Sequence, residues 1–422
     1  DENGVTELVM EDFITDPIKR PLSEYSSYAD YVSAVKADFD SFCETIMPGL
    51  PGEFEEARIQ ALWQTWNMIV EPDGESDYKR PMVKMMHCIF ESAFVWQQPM
   101  QAIWLSRDPK LSWQVFCSSF DFMDANGRMT DGVAFKAMPG GDGLKPPVQG
   151  MALLWLMEHG IIDDVPLEEK QWLLERLIKW TEYFIRFRDK DGDGICEFQS
   201  VLETGWEDAP QYLIGFPQAS PDLNAFLALQ MEAVAKFGAL CGMPEAESEA
   251  WMKRSRELID RLVETFWDGE KWTAFNAETK VRSDNVNIAL YMPLVLGDRI
   301  PKEIIDKSIE TMFADDGFFT PYGLASEALN SDYFSHGFTR GSIITPAEFL
   351  SCMALEACGR SDLAKKVAQG YCKALKKYGF FHIYNALTGE EDRSLTAFGE
   401  KGLFWSAWTS SCYFFLADRY GE

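Results

Sequence analysis

Apolar residues recur at intervals of three and four along most of this chain, and that spacing restricts it to a fold built almost wholly of helices. Leu173, Leu177, Trp180, Phe184 and Phe187 are spaced 4, 3, 4 and 3, which lines them along one helical face. Leu363, Val367, Tyr371 and Leu375 form a second stripe of the same kind. Comparable patterns cover residues 28–47, 54–70, 85–105, 110–124, 146–160, 222–241, 246–267, 301–313, 343–358 and 402–418. Strand-like alternation is scarce and short. Turn clusters such as Pro139-Gly140-Gly141-Asp142-Gly143 and Asp191-Gly192-Asp193-Gly194 punctuate the helices, as does Gly242 ahead of Pro244. The periodicity therefore predicts an all-α protein of about a dozen helices, each of about 12–22 residues. No stretch has the composition of a flexible linker and no close repeat is visible. Residues 26–422 are expected to form a single domain, with residues 1–25 as an extended arm.

Charge narrows the function. Asp and Glu number 67 against 39 Lys and Arg, a net charge of −28. Nucleic acids and anionic membranes require a basic footprint, so both are excluded as expected partners. Aromatic residues make up 14% of the chain, including 14 Trp, a supply large enough for both a core and a sugar-binding cleft. The nine cysteines are odd in number and form no Cys-x-x-Cys pair, which predicts buried free thiols and a reducing, cytoplasmic location. The first residues, Asp1-Glu2-Asn3-Gly4, lack the basic start and apolar run of a signal peptide. No apolar stretch approaches the ~20 residues needed to span a bilayer.

Chemistry concentrates between residues 189 and 210. Asp189-Lys190-Asp191-Gly192-Asp193-Gly194-Ile195-Cys196-Glu197 and Glu203-Thr204-Gly205-Trp206-Glu207-Asp208-Ala209-Pro210 place seven carboxylates in 22 residues, around one tryptophan. A carboxyl beside an indole sits in a partly apolar wall, which raises its pKa toward that of a general acid working near neutrality. The alternative is a solvated acidic loop that caps the next helix. Three further segments combine polar and aromatic residues: Phe94-Val95-Trp96-Gln97-Gln98, Phe338-Thr339-Arg340-Gly341 and Phe404-Trp405-Ser406-Ala407-Trp408. They carry functional meaning only if the fold makes them converge.

These segments stand in an order that resembles a known group. Glu203 to Pro210 is similar to the Glu-Ser-Gly-Trp/Leu-Asp-Asp/Asn-Ser-Pro motif of inverting α-glycosidases, a group that includes trehalases, processing α-glucosidases and mannosylglycerate hydrolases. Trp96-Gln97 falls where those enzymes carry Trp-Asp. Asn126-Gly127-Arg128-Met129, Lys145-Pro146-Pro147-Val148-Gln149-Gly150 and Pro221-Asp222-Leu223-Asn224-Ala225 resemble further motifs of the group, in the same order. So do Phe266-Trp267-Asp268, Gly323-Leu324-Ala325-Ser326, Phe338-Thr339-Arg340-Gly341, Tyr384-Asn385-Ala386-Leu387-Thr388-Gly389 and Phe404-Trp405-Ser406-Ala407.

The resemblance implies an (α/α)6 toroid and an exo-acting, inverting glycoside hydrolase of a small α-linked glucoside or mannoside, with no cofactor required for the chemistry. It implies Glu207, standing where the group has Asp, as general acid, with Asp208 beside it. The group's general base is a Glu, and that position here is His382. A neutral imidazole can activate a water, and Glu390, Glu391, Asp392 and Glu400, nearby in sequence, are the competing candidates. Trp96, Trp206 and Trp405 would offer stacking faces, and Gln97, Lys145, Gln149, Arg340 and Tyr384 would hold hydroxyls or a substrate carboxylate. Asp189, Asp191, Asp193 and Glu197 also have a metal reading. The Asp-x-Asp-x-Asp-Gly run starts like an EF-hand, but Ser200 replaces the closing Glu at position twelve. Relatives of this fold bind calcium in such a loop, with a later Glu closing it; an uncomplexed turn is the alternative. Two other classes stay open at this level: a toroid-fold lyase using His382, and a degenerate sugar-binding protein.

Overall fold

A computed structural model describes residues 27–72, 78–86, 92–133, 139–140, 143–392 and 405–422. The proposed arm over residues 1–25 lies outside them. The helices are α1 (Tyr28–Ile46), α2 (Arg58–Trp66), α3 (Gln97–Trp104), α4 (Pro109–Ser118), α5 (Gln149–Glu158), α6 (Leu167–Phe187), α7 (Pro221–Leu240), α8 (Glu245–Phe266), α9 (Lys302–Phe313), α10 (Thr345–Ala357), α11 (Ser361–Tyr378) and α12 (Ala407–Tyr420), with a 3-10 segment at Ile288–Arg299.

Burial sorts them into two layers. All of α3 is buried, as is nearly all of α7 and α12, whereas α6 buries only Leu173, Leu177, Trp180, Thr181, Tyr183 and Phe184. A helix apolar on every side belongs inside, and one with a single apolar stripe belongs outside. The inner members α3, α5, α7, the 288–299 segment, α10 and α12 each pack on the next, and α12 returns to α3, closing a ring of six. Outer helices α4, α8, α9 and α11 pack on the inner members they follow, α6 packs on α7, and α2 packs on α12 to join the chain's two ends. The protein is an (α/α)6 toroid.

Two helical expectations need correction. Within 85–105 the helix begins only at Gln97, because Ala93–Phe94 pairs as a strand with Gly132–Val133. The Gln98 amide reinforces that extended backbone by bonding both the N–H and the C=O of Val83, at 2.9 and 2.8 Å. The sixth inner member, by contrast, gave no periodic signal. Pro293 lies inside it, and Gly297 breaks it at φ 57°, where a Cβ would lie 2.5 Å from the Ala357 carbonyl.

Five of the six inner members are each followed by an outer helix, and α12 takes α2 as its outer partner, so the inner N-termini gather at one end. The loops that precede them are stitched there by antiparallel two-residue strands, such as Ile343–Ile344 with Ile383–Tyr384 and Glu197–Phe198 with Gln218–Ala219. Eight of the cysteines lie among the described residues, all as free thiols. No helix of the described residues is long and apolar enough to cross a membrane.

Candidate active site

The segment from Glu203 to Asp208 is fixed residue by residue at the gathered N-termini. Glu203 is buried and takes two bonds from Arg188, Nη2 to Oε1 at 2.6 Å and Nε to Oε2 at 3.1 Å. Thr204 Oγ1 donates to the Val201 carbonyl and accepts from the Trp206 N–H. Gly205 has φ 77°, and a Cβ there would lie 2.8 Å from the Trp96 ring, so only glycine fits. The Trp206 indole N–H reaches buried Asp222 Oδ2 at 3.1 Å, and burial pushes the Asp222 carboxyl up to about 6. Asp208 turns away from Glu207. Its Oδ1 accepts from the Thr339 N–H at 2.6 Å and from the Thr339 hydroxyl, and its carbonyl accepts from Arg340 Nε at 2.9 Å. Thr339 is held in turn through Asn287, whose amide donates to the Thr339 carbonyl and to Glu327. Asp208 thus pins the 337–341 loop to the wall that carries Glu207.

Glu207 is half-buried, its side chain 34% accessible. Lys145 Nζ donates to its Oε1 at 2.6 Å and to the Leu202 carbonyl at 2.9 Å, and lies 3.7 Å from Asp131 Oδ2. Burial alone would lower the Lys145 pKa, but Glu207 and Asp131 outweigh it and the net direction is upward.

His382 lies within reach of the charge of Glu207. It is buried, stacked on Phe338 at 5.4 Å between centroids, and 6.2 Å from the Trp408 ring. Burial drives its pKa down to about 4, and the charge of Glu207 is the one influence opposing that shift. Its Nδ1 is buried without a partner. Trp96 connects the two sides, edge-on to Trp206 at 5.4 Å and to Trp408 at 5.7 Å. Beside it both side-chain polar atoms of Gln97, the Trp96 Nε1 and the Trp408 Nε1 are buried and unpartnered. These are donors and acceptors with nothing of the protein to bind.

Other residues named from sequence are committed to the frame. Gln149 receives the Trp180 indole N–H and donates to the Val95 carbonyl. The Tyr384 hydroxyl donates to the Gly379 carbonyl, and Trp405 lies edge-on to Phe380. Trp206 is wholly covered, so it backs the wall and offers no open stacking face. Glu391 lies opposite Tyr384 on the 383–392 hairpin, and Glu400 lies outside the described residues. Arg340 is half-buried beside Asp208. Sequence reasoning did not single out Asp131 for the site, and it named Phe338 and Trp408 only as members of the segments 338–341 and 404–408. The first lacks any motif, and the others are aromatics whose role depends on what they face.

The acidic loop lies apart. Single carboxylate oxygens of Asp189, Asp191 and Asp193 fall within 4.8 Å of one another. Gly192 and Gly194 turn the backbone at φ 75° and 82°, and Asp193 Oδ1 accepts from the Ile195 N–H at 2.8 Å. Asp189 Oδ1 and Glu197 Oε2 are buried without partners. Burial, reinforced by Asp191, Asp193 and Asp189, pushes Glu197 up to about 7. The three crowded aspartate oxygens fit a hard divalent cation such as calcium, while Glu197, although its Oε2 is orphaned, is not one of that group.

The sequence profile of the mannosylglycerate hydrolase MGH1-like glycoside hydrolase domain matches residues 144–406. No curated protein matches the chain in sequence. Among solved structures, an uncharacterized conserved protein from Thermus thermophilus superposes with TM-score 0.71 at 16% identity, covering 85% of this chain and 99% of its own. The GH63 mannosylglycerate hydrolase from the same organism, solved in complex with glucose, gives 0.70 at 17% identity with the same coverages, 85% and 99%. The neutral trehalase of Saccharomyces cerevisiae gives 0.58 at 13% identity, over 81% of this chain and 74% of its own.

Proposed function

The chain belongs to the mannosylglycerate hydrolase MGH1-like glycoside hydrolase family, and from that membership we propose that it removes an α-linked glucosyl or mannosyl unit from a chain end, with inversion. The observation that carries this reading is the pairing of Glu207 and His382. The imidazole is held neutral by burial, and the charge of Glu207 reaches it and opposes that shift.

Inverting hydrolysis needs a proton donor on the leaving oxygen and a base for water on the opposite face. Glu207 is the donor. Its proton passes to the glycosidic oxygen as the C1–O bond breaks and the bonding pair leaves with that oxygen. Water attacks C1 and gives its proton to His382. With a pKa near 4, the imidazole matches the basicity of an ordinary carboxylate base and is neutral throughout the working range. The covered rings of Trp96, Trp206 and Trp408 back the wall beside His382, and the buried amide of Gln97 next to Trp96 is unpartnered. Arg340, whose bond through Nε leaves its terminal nitrogens for a ligand, suits an anionic aglycone. A related enzyme was solved with D-glycerate. The 189–197 loop is proposed to hold a structural calcium ion away from the chemistry.

The test is Glu207→Gln on α-glucosides and α-mannosides, with the first-formed anomer followed by NMR. The wild type should release the β-anomer and the variant should lose about 10³-fold in kcat. An α-anomer product, or an unimpaired variant, would overturn the reading.

A further inference from the structure

Lys145 is shared between two carboxyls. It bonds Glu207 at 2.6 Å and stands 3.7 Å from Asp131, with the Leu202 carbonyl as its third neighbour. Asp131 is held at this spot by its backbone, whose carbonyl accepts from the Val95 N–H at 2.8 Å, next to Trp96. One of its oxygens, Oδ1, is buried without a partner. Two carboxyls and one ammonium carry a net charge of −1, and a single added proton makes the group neutral. Lys145 is buried and both carboxyls are half-buried, and loss of water around such a cluster favours that neutral state.

We propose that Asp131 is a positioning residue that acts through Lys145 to let Glu207 carry the proton it donates. The inference rests on the reading of Glu207 as proton donor. When the proton lies on Asp131, Lys145 pairs with the Glu207 carboxylate, which is the arrangement observed. When the proton lies on Glu207, Lys145 turns toward an ionised Asp131, and Glu207 faces the leaving oxygen as an acid. Transfer to that oxygen leaves the group one proton short, and solvent restores it. Without a second carboxyl, Lys145 has only Glu207 to pair with, and the acid form loses its support. Burial and the Glu207 charge push Asp131 up, against the pull of Lys145, to about 6. The group thus holds a proton at little cost close to neutrality.

The experiment compares two leaving groups on the sugar that the wild type prefers. A methyl glycoside leaves as an alkoxide and needs the proton; a 2,4-dinitrophenyl glycoside leaves as a stable anion and does not. Asp131→Asn, which is isosteric, should lose about 30- to 100-fold in kcat on the methyl glycoside, within the range of general acid catalysis. It should lose less than about 3-fold on the dinitrophenyl glycoside, with KM unchanged on both. Asp131→Glu, which keeps the carboxyl, should retain the wild-type ratio of the two rates. Should Asp131→Asn fail to fold, the ratio in Asp131→Glu decides alone, and a changed ratio there overturns the proposal. Equal losses on both substrates, or no loss, also overturn it. Glu207→Gln is run in parallel. If that variant fails to discriminate between the leaving groups, the reading of Glu207 falls and takes this inference with it. If Glu207→Gln discriminates and Asp131→Asn does not, only the role of Asp131 is lost.

Discussion

The surroundings of Glu207 and of His382 are built on opposite principles. Around Glu207 the wall is polar: Lys145, Asp131, the Asp208–Thr339 clamp and the Arg188–Glu203 pair are all bonded within it. Around His382 the wall is aromatic, with Phe338 on one side and Trp408 on the other, and no cation among the described residues shifts the imidazole. A carboxyl can be tuned by an ammonium beside it, whereas a base in an apolar box is tuned by loss of water alone. The difference explains why histidine is tolerated where the resembling enzymes carry glutamate. A carboxylate in that box would have no counter-charge and would take up a proton; an imidazole is comfortable there uncharged.

Exchanging charge between the walls should have the largest effect. Glu207→Gln and His382→Ala should each cost about 10²- to 10⁴-fold in kcat while leaving the circular dichroism spectrum unchanged. Retained activity in His382→Ala would move the base to the 390–400 segment. His382→Glu sharpens the contrast. The new carboxyl, desolvated by Phe338 and Trp408, should be protonated near neutrality and become a base only as pH rises. Its kcat should be about 10²-fold low at neutral pH and climb toward pH 8–9, whereas the wild type should hold its rate down to about pH 4, where His382 begins to charge. A wild-type acid limb near the ordinary histidine pKa would break the comparison.

Asp208 tests the polar wall alone. As a clamp, its Oδ1 accepts from Thr339 twice. Asp208→Asn keeps one carbonyl-type acceptor and should retain most activity. Asp208→Ala strands a backbone N–H and should cost about 1–3 kcal/mol of stability with about a 10-fold drop in kcat. Loss of all activity in Asp208→Asn would make Asp208, not Glu207, the proton donor.

How much of this was legible depended on whether the information was local. The outer helices were plain in sequence because they expose one face, and Leu173, Leu177, Trp180 and Phe184 are buried as their spacing required. The inner 288–299 segment was not, because a helix buried on all sides shows no period, and Pro293 and Gly297 interrupt it. The stretch 203–210 announced itself through a dense motif, and the structure gives each residue a separate task. The convergence of Trp96, Trp206, Glu207 and His382 could be expected only from the resemblance, since their loops are far apart in the chain. Asp131 was invisible as a site residue, and Trp408 was visible only as the end of the 404–408 segment. Nothing in their neighbours predicts that one shares Lys145 or that the other flanks His382; those facts belong to the closed ring.

The smallest effect concerns the one carboxylate cluster outside both walls. The Glu207 wall balances its charge with Lys145, whereas the 189–197 loop has Lys280, 3.7 Å from Asp191, and the Arg261 guanidinium packed against Gly194. Without a cation, burial, reinforced by the neighbouring aspartates, pushes Glu197 up to about 7. The folded protein then binds a proton there that the unfolded chain, with its ordinary carboxyl pKa, does not. Stability must fall as pH climbs from about 5 to about 8, because the native state binds more protons over that window. Asp131 and Asp222, both raised to about 6, add slope of the same sign, so the informative quantity is the difference made by metal. Calcium bound by the loop would replace the Glu197 proton. Millimolar calcium should then raise Tm by about 2–5 °C at pH 8, by less at pH 5, and leave kcat unchanged. Glu197→Gln should stabilise the metal-free protein at pH 8 and blunt its response to calcium. A Tm indifferent to both calcium and chelator at pH 8 would mean that the loop tolerates its crowded charge uncomplexed, and the two walls alone would then account for the site's electrostatics.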